Sequence, residues 1–451
     1  MDDKTRTIAA LSSGLVPSGV AVIRVSGPRA RNALQTLAGA IPKPRFAALC
    51  QLSDPRDGHR LDQAIVLFFP GPNSFTGHDV AEFHCHGGTA VVSDVLDALW
   101  SLPGIDAAQA GDFTRQAFIN GKMDLTAVEG VADLIHATTR MQRTQALEQL
   151  DGAAHRQVKQ WSDRLLDVRA AIEAELDFSD EDGVGDFNPA PLLAELRAVE
   201  CELAGAADDP VSERLRDGFR VVLAGEPNAG KSTLMNTLVG RKAALVSDIA
   251  GTTRDMLEAP LDWDGLPVIL TDTAGLRPHL ATNDVLERAG MQRASEVVAA
   301  ADCVIWMSPA DTLEVSPPSN LMVERESLIR VRSKADLVSV PSGAVEQVGV
   351  SAHTGVGLET LKARVGGVLR RKVEQRHNLP AVALDRRRRD LLKCSEVYVG
   401  AAASGLEAGT APLEAVAEDL RLAHRALGEL VGEVGVERML DRLFSRFCIG
   451  K

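Results

Sequence analysis

Two kinds of hydrophobic pattern alternate along the chain, and the switches between them mark out its parts. Over residues 1–120, short β-like runs (AVIRVSG, QAIVLFFP, DVAEFHCHGG) are broken by Gly and Pro and mixed with helical stretches such as TAVVSDVLDALWSL. Runs of that length bounded by turn residues predict strands, so this segment reads as an α+β domain. From residue 121 the period changes to that of a helix. Val158, Trp161, Leu165, Val168, Ile172 and Leu176 recur at steps of three and four, which places them on one stripe. The acidic segment DFSDEDGVGDFNP (177–189) interrupts the stripe. It lacks the closing Glu of an EF-hand loop and reads as a solvated connection.

A strand–helix alternation begins at Phe219, with strand-like runs at FRVVLAG, PVILTDTAG, DCVIWM, SLIRVRSKAD and QVGVSA. That alternation predicts a mostly parallel sheet with both faces covered. After about residue 375 the pattern is helical again, and Val416, Leu420, Ala423 and Leu427 form a second stripe. The expected architecture is a multidomain α/β + α chain. An N-terminal α+β domain (1–120) precedes the first half of an all-helical domain (121–217). A Ras-like P-loop domain (218–375) is inserted before the second helical half (376–451).

Composition narrows the classes. The 451 residues, 45% hydrophobic and 25% charged, suffice for several cores. No run approaches the roughly 20 apolar residues of a membrane span, and the N-terminus lacks a basic-then-apolar leader, so a cytoplasmic location is expected. The six cysteines (50, 85, 201, 303, 394 and 448) form no CxxC pair, which argues against a zinc site or a disulfide framework. His84 and His86 of HCHGG share one strand face with no further ligand nearby, so the segment is read as a packed turn. The net charge of −13 means that any nucleic-acid contact must use a local patch or a partner protein.

The chemistry is carried by GEPNAGKS (225–232), which fits G-x-x-x-x-G-K-[ST] between a predicted strand and the helical TLMNTLVG. Gly225 and Gly230 let backbone N–H groups turn toward phosphates, and the helix N-terminus adds its dipole. Lys231 is expected to reach the β- and γ-phosphates, and Ser232 to give its hydroxyl to Mg²⁺. In DTAG (272–275), Asp272 is placed to hold the Mg²⁺ shell through water, and the Gly275 N–H to sense the γ-phosphate. AGTTRD (250–255) offers Thr252 and Thr253, either of which could close over Mg²⁺ in a GTP-dependent switch. SKAD, with Lys334 and Asp336, stands where GTPases carry Asn-Lys-x-Asp. The Asp336 carboxylate accepts both guanine N–H protons, and Lys334 lies over the base. Ser333 lacks the amide of an Asn, at a cost of about 1 kcal/mol. Ser351, Ala352 and His353 add a backbone contact to the guanine oxygen. GTP, rather than ATP, is the expected nucleotide.

Together, TIAALSSG, PNSFTGHDVAEFHCHGG, GDFTRQAFINGKMDLTAVEGVADLI, GEPNAGKS, AGTTRD, DTAGLR and the terminal FSRFCIGK make the chain resemble the tRNA-modification GTPase MnmE (TrmE) family over essentially its whole length. The resemblance implies a tetrahydrofolate-binding-like N-terminal domain that forms a homodimer. It also implies a hetero-oligomer with the FAD-dependent MnmG/GidA partner. In that complex C5 of the wobble uridine of certain tRNAs receives an aminomethyl or carboxymethylaminomethyl group. The one-carbon unit comes from a 5-formyl- or methylene-tetrahydrofolate. The matching folate positions are Arg24, Glu82, Lys122 and Lys451. Cys448 is the counterpart of a near-terminal catalytic thiol, with a structural cysteine as the alternative.

The resemblance further implies hydrolysis stimulated by K⁺, because Leu276 stands where Ras-like enzymes place a catalytic Gln. Asn228 would hold the ion with Ser247, Ile249 and Thr252, while Ser232 and Thr253 hold Mg²⁺. Glu287 matches the family's catalytic Glu, with Asp284 the fallback. Asn228, Ala229, Thr233, Asp248, Ala250, Gly251, Thr273 and Ala274 complete the expected nucleotide contacts. A GTP-operated assembly switch without modification chemistry is the alternative reading.

Overall fold

The computed structural model describes residues 6–178, 187–240, 258–273, 295–312, 316–317, 324–338, 347–374, 382, 385–409, 411–434, 444, 447 and 449–450. The chain divides into two compact units, one of Met1–Ala132, Gln149–Phe187 and Ala408–Lys451, the other of Asp133–Glu148 and Asn188–Glu407. Among the described residues no helix is long and apolar enough to cross a membrane.

The first unit holds a six-stranded sheet of β1 (Thr7–Leu11), β2 (Ser18–Ser26), β3 (Ala48–Ser53), β4 (Arg60–Phe69), β5 (Val80–Gly87) and β6 (Ile105–Ala107). Its order is β3-β4-β5-β2-β1-β6, antiparallel except where β6 joins β1. Strand alternation divides the two faces. Ala21, Ile23 and Val25 of β2 and Ala81, Phe83 and Cys85 of β5 are buried with Leu34, Leu37, Val95 and Leu99 of the helices Ala30–Ala38 and Thr89–Trp100. The alternate residues, Arg24, Glu82 and His84, look out of the other face. HCHGG is therefore the end of strand β5 and not a turn, because its central Cys85 completes the buried row. Burial pushes the Cys85 thiol up to about 12. In the same unit the two predicted stripes meet. Val158, Trp161, Leu165, Val168 and Ile172 of the helix Ala153–Phe178 and Val416, Leu420, Ala423 and Leu427 of the helix Leu413–Val431 are all buried, and the helices pack together.

The second unit is built on β7 (Phe219–Gly225), β8 (Glu258–Trp263), β9 (Leu266–Asp272), β10 (Cys303–Pro309), β11 (Leu328–Ser333) and β12 (Gln347–Val350), ordered β12-β11-β10-β7-β9-β8. All pairs are parallel except β8 with β9, so the five predicted runs form one parallel sheet with an antiparallel edge. β8 has no counterpart among the predicted runs. Pro260 and alternating charges disguise it, and an edge position tolerates both. The turn Asp264-Gly265, with φ of 55° and 89°, joins it to β9 as a two-residue hairpin. Crossing helices cover the sheet, and the central strand β7 ends at the phosphate loop.

Candidate functional site

At the end of β7 the backbone has no room for a side chain. Gly225 takes φ 137°, and a Cβ there would stand 2.0 Å from the Met307 carbonyl oxygen of the neighbouring strand β10. The first glycine thus lets β7 and β10 close up beneath the loop. Gly230, at φ 80°, faces open space instead, on the side where a phosphate would lie. Between them Asn228 holds a left-handed backbone at φ 61°, a conformation that Asn tolerates better than most residues. Lys231 opens the helix Lys231–Gly240 and is only 7% exposed. Its Nζ donates to the carbonyl oxygens of Gly225 (3.1 Å) and Glu226 (2.7 Å), so the ammonium lies over the loop it serves. The Ser232 hydroxyl donates to Asp272 Oδ2 at 2.6 Å, bringing two predicted Mg²⁺-shell oxygens together from separate elements. Thr273 turns away from them, its hydroxyl donating to the Leu223 carbonyl at 2.9 Å.

A cavity of about 440 Å³ runs from this loop along the strand ends to the segments that follow β11 and β12. Residues 228–233 line one end, and Ser333, Lys334, Asp336, Ala352 and His353 line the other. The predicted phosphate and base readers therefore share one space. Lys334 has φ 57° and sets its Nζ 3.6 Å from Asp311 Oδ2. Ser333 is buried, with its hydroxyl 3.4 Å from the Ser308 carbonyl. Ser351 is fully buried beneath the base end. Its hydroxyl donates to the Asp336 carboxylate, and with Asp336's own backbone amide it holds that group below the usual carboxylate range. Thr237, a contact missing from the sequence reading, ties the phosphate-side helix to the base loop through the Ala352 carbonyl at 3.3 Å.

The first unit carries a second constellation. Arg24 on β2 and Glu82 on β5 are cross-strand partners, with Arg24 Nη2 and Nε 2.9 and 3.0 Å from Glu82 Oε1. The other carboxylate oxygen is 3.2 Å from His84 Nε2. The Arg24 guanidinium lies between the rings of Phe75 and Phe113, with centroids at 5.8 and 5.7 Å. Phe75 comes from a loop pinned by Ser26, whose hydroxyl is 2.6 Å from Thr76 Oγ1, and by Asn120, which donates to the Thr76 carbonyl at 2.7 Å. Lys122 lies at the far end of this loop, where its Cγ would stand 3.3 Å from a Cβ at Gly77. The aromatic flanks were not foreseen. The only sequence trace of them is the Phe in PNSFTG and in GDFT.

The C-terminal tail belongs to this unit. Ile449 bridges Ala110, the Ser12 hydroxyl donates to the Gly450 carbonyl at 2.9 Å, and a Cβ at Gly450 would strike the Leu11 carbonyl oxygen at 2.0 Å. Cys448 and Lys451 themselves lie outside the described residues, as do Ser247, Asp248, Ile249, Ala250, Gly251, Thr252, Thr253, Ala274, Gly275, Leu276, Asp284 and Glu287. Among the described residues no group of His, Cys, Asp and Glu could hold a metal by itself.

Two family descriptions match the chain, the GTP-binding protein TrmE N-terminus over residues 7–122 and the MnmE helical domain over residues 125–448. A tRNA modification GTPase MnmE from Methylobacterium sp. (strain 4-46) is 50% identical over 451 residues, spanning 99% of this chain and 100% of its own. The protein of the same name from Azorhizobium caulinodans is 48% identical over 452 residues, 100% of each chain. That from Parvibaculum lavamentivorans is 47% identical over 448 residues, 99% of this chain and 100% of its own. With such identity sustained end to end, around a phosphate loop and an SKAD segment that share one cavity, the chain belongs to the tRNA modification GTPase MnmE family.

Proposed function

We propose that this GTP hydrolase of tRNA modification is stimulated by K⁺, and that with a flavin-dependent partner of the MnmG/GidA kind it modifies C5 of wobble uridine using a folate one-carbon unit. The observation that carries the nucleotide half is the cavity joining residues 228–233 to Lys334 and Asp336. Lys231 exchanges its loop carbonyls for β- and γ-phosphate oxygens, and Asp336 accepts the two guanine N–H protons. Ser232 and Asp272 offer the hard oxygens that suit Mg²⁺, with Thr253 as a further ligand. Asn228, at the loop tip, would hold K⁺ with Ser247, Ile249 and Thr252. The two ions supply positive charge against the phosphates. Glu287, or Asp284 in its stead, orients the water that attacks the γ-phosphate, leaving GDP and phosphate.

In the first unit, Arg24, Glu82 and Lys122 form the folate site together with Lys451. Glu82 would accept from pterin N–H groups, with Arg24 beside it on the same sheet face as its countercharge. Cys448, outside the described residues, would supply a catalytic thiol, with a structural cysteine as the alternative. The chain acts as a cytoplasmic homodimer. Turnover in KCl against NaCl is the direct test. We expect a marked excess in KCl for the parent chain that Asn228→Ala abolishes. Equal rates in the two salts would sink the K⁺ reading.

A further inference from the structure

With a net charge of −13, the chain repels polyanions as a whole, and any contact with one must come from a local patch. Such a patch lines a second cavity of the GTPase unit, about 590 Å³ in volume, between the start of β11 and the helix Leu358–Glu374. Arg325, Arg330, Arg364 and Arg371 surround it, and among the described residues Glu326 is the sole carboxylate that lines it. Arg364, Gly367, Val368 and Arg371 fall on one helix face by their spacing. Gly367 has open space where a side chain would stand, so the groove stays clear between the two arginines. Arg364 and Arg371 are seven residues apart, about 10 Å along the helix, which suits two separate phosphates.

The contrast with other arginines of this unit is sharp. Arg197, Arg214, Arg216 and Arg389 are held by Glu200, Asp302, Asp133 and Glu213. Among the described residues no hydrogen bond or ion pair holds Arg364 or Arg371, although acidic residues outnumber basic ones in the chain. Arg325 and Arg330 have interactions of their own and frame the groove. Among the described residues no aromatic side chain lines it to stack on a base. Guanidinium groups pair bidentately with phosphate oxygens, and phosphate contacts position a nucleic acid without reading its sequence. The groove lies at the beginning of β11, whereas Ser333 at its end borders the nucleotide cavity, roughly 16 Å away at strand rise.

We propose that this arginine groove binds the phosphate backbone of RNA, namely the tRNA of the modification reaction, without reading its sequence. The proposal rests on the tRNA-modification reading, and its test is separable from that reading. Affinity of the full chain for two unrelated tRNA transcripts is measured by fluorescence anisotropy from 50 to 300 mM salt. For R364Q/R371Q the expected result is roughly 10- to 30-fold weaker binding near 0.15 M salt, with the slope of log K against log salt reduced by about two, equally for both transcripts. R364K/R371K should regain most of the slope, and Glu326→Gln should tighten binding. GTP turnover of all these variants should match the parent, which checks the fold. Unchanged affinity and slope in R364Q/R371Q would overturn the proposal, and so would a parent chain with no salt-dependent tRNA binding. An effect on one transcript only would indicate base readout and equally overturn it. Loss of association with the flavin-dependent partner at unchanged tRNA affinity would assign the groove to an acidic protein surface instead. The modification reading has its own readout, the wobble-uridine content of tRNA from cells lacking the chain.

Discussion

The two sheets place their chemistry in opposite ways. In the parallel sheet of the second unit, the residues proposed to bind ligand gather where β7, β9 and β11 end, on the loops that follow: Lys231 and Ser232 after β7, Asp272 at the end of β9, Lys334 and Asp336 after β11. In the antiparallel sheet of the first unit they stand on a strand face, where Arg24 meets Glu82 across paired strands. Parallel strands all point the same way, so their ends form one rim with a continuous run of loop residues at each position. A strand face instead joins residues from distant parts of the chain, and Arg24 and Glu82 are 58 positions apart. A rim site leaves motifs in the sequence. A face site leaves only an alternation pattern that any half-buried strand would show.

The strongest way to break the rim site is at its first glycine. Gly225→Ala puts a methyl 2.0 Å from the Met307 carbonyl at φ 137°, where the only escape is to part β7 from β10. We expect a loss of at least about 3–4 kcal/mol in the stability of the second unit, and no measurable GTP binding by calorimetry. Gly230→Ala is the control within the same motif. It keeps the strain of φ 80° but meets no atom, so its stability cost should stay near 1 kcal/mol. Equal costs for the two variants would show that the strand contact is not what fixes the first glycine.

The face site should break less completely. Arg24→Met leaves Glu82, whose side chain is only 15% exposed, without its countercharge and removes the cation from between Phe75 and Phe113. A destabilisation of about 2–3 kcal/mol is expected in denaturant unfolding of the first unit, with GTP turnover unaffected. Arg24→Met/Glu82→Leu should recover most of it, since an apolar pair leaves no buried charge behind. Failure of the double variant to recover would place the cost in the lost ring contacts instead.

These differences explain what was legible in the sequence. The parallel sheet could be read strand by strand because its runs are mostly apolar and several lead directly into a motif, as FRVVLAG does into the phosphate loop and PVILTD into DTAG. Its edge strand β8 was not, because Pro260 and the charges of EAPLDW mask a strand that needs only one buried side. In the first unit, β1, β3 and β6 escaped notice because they are three to six residues long, too short for an alternation to register. HCHGG looked like a turn because its glycines do lie at the strand's end, yet Cys85 faces the core. Arg24, Glu82 and Lys122 came only from the family resemblance. Their neighbours Phe75 and Phe113, which no motif flags, came only from the structure.

A finer probe asks how far SKAD has drifted from the usual guanine reader. Ser333 is buried with its hydroxyl 3.4 Å from the Ser308 carbonyl, a long contact that little depends on. Ser333→Asn restores an amide at that position and should tighten GTP binding by at most about fivefold, roughly 1 kcal/mol, without changing ATP binding. Competition of GTP and ATP against a fluorescent GDP analogue measures both. A loss of GTP affinity would mean that the pocket has closed around the smaller side chain.

The smallest effect expected at neutral pH belongs to Ser351, which holds the carboxylate proposed to read the base. Its hydroxyl donates to Asp336 and is the largest cause of that group's lowered pKa. In the proposed guanine contact Asp336 accepts two N–H protons and is therefore ionised. A lowered pKa therefore keeps binding intact until the pH drops below the ordinary Asp value of about 3.8. Ser351→Ala removes the donor and lets the pKa climb back toward that value, so binding should begin to fail at a higher pH than in the parent. Ser351 also accepts from the Thr354 amide at 3.2 Å, a contact whose loss is independent of pH, and Ser351→Thr keeps both hydroxyl roles. The quantity to follow is the ratio of GDP affinities, parent over Ser351→Ala, from pH 7 down to pH 4. Titration of the GDP phosphates cancels in that ratio. It should stay flat near neutrality and rise as the pH approaches 4, while the parent over Ser351→Thr ratio stays flat throughout. A ratio constant across the range would reduce Ser351 to a fastener of its own loop and leave the lowering to Asp336's own backbone amide.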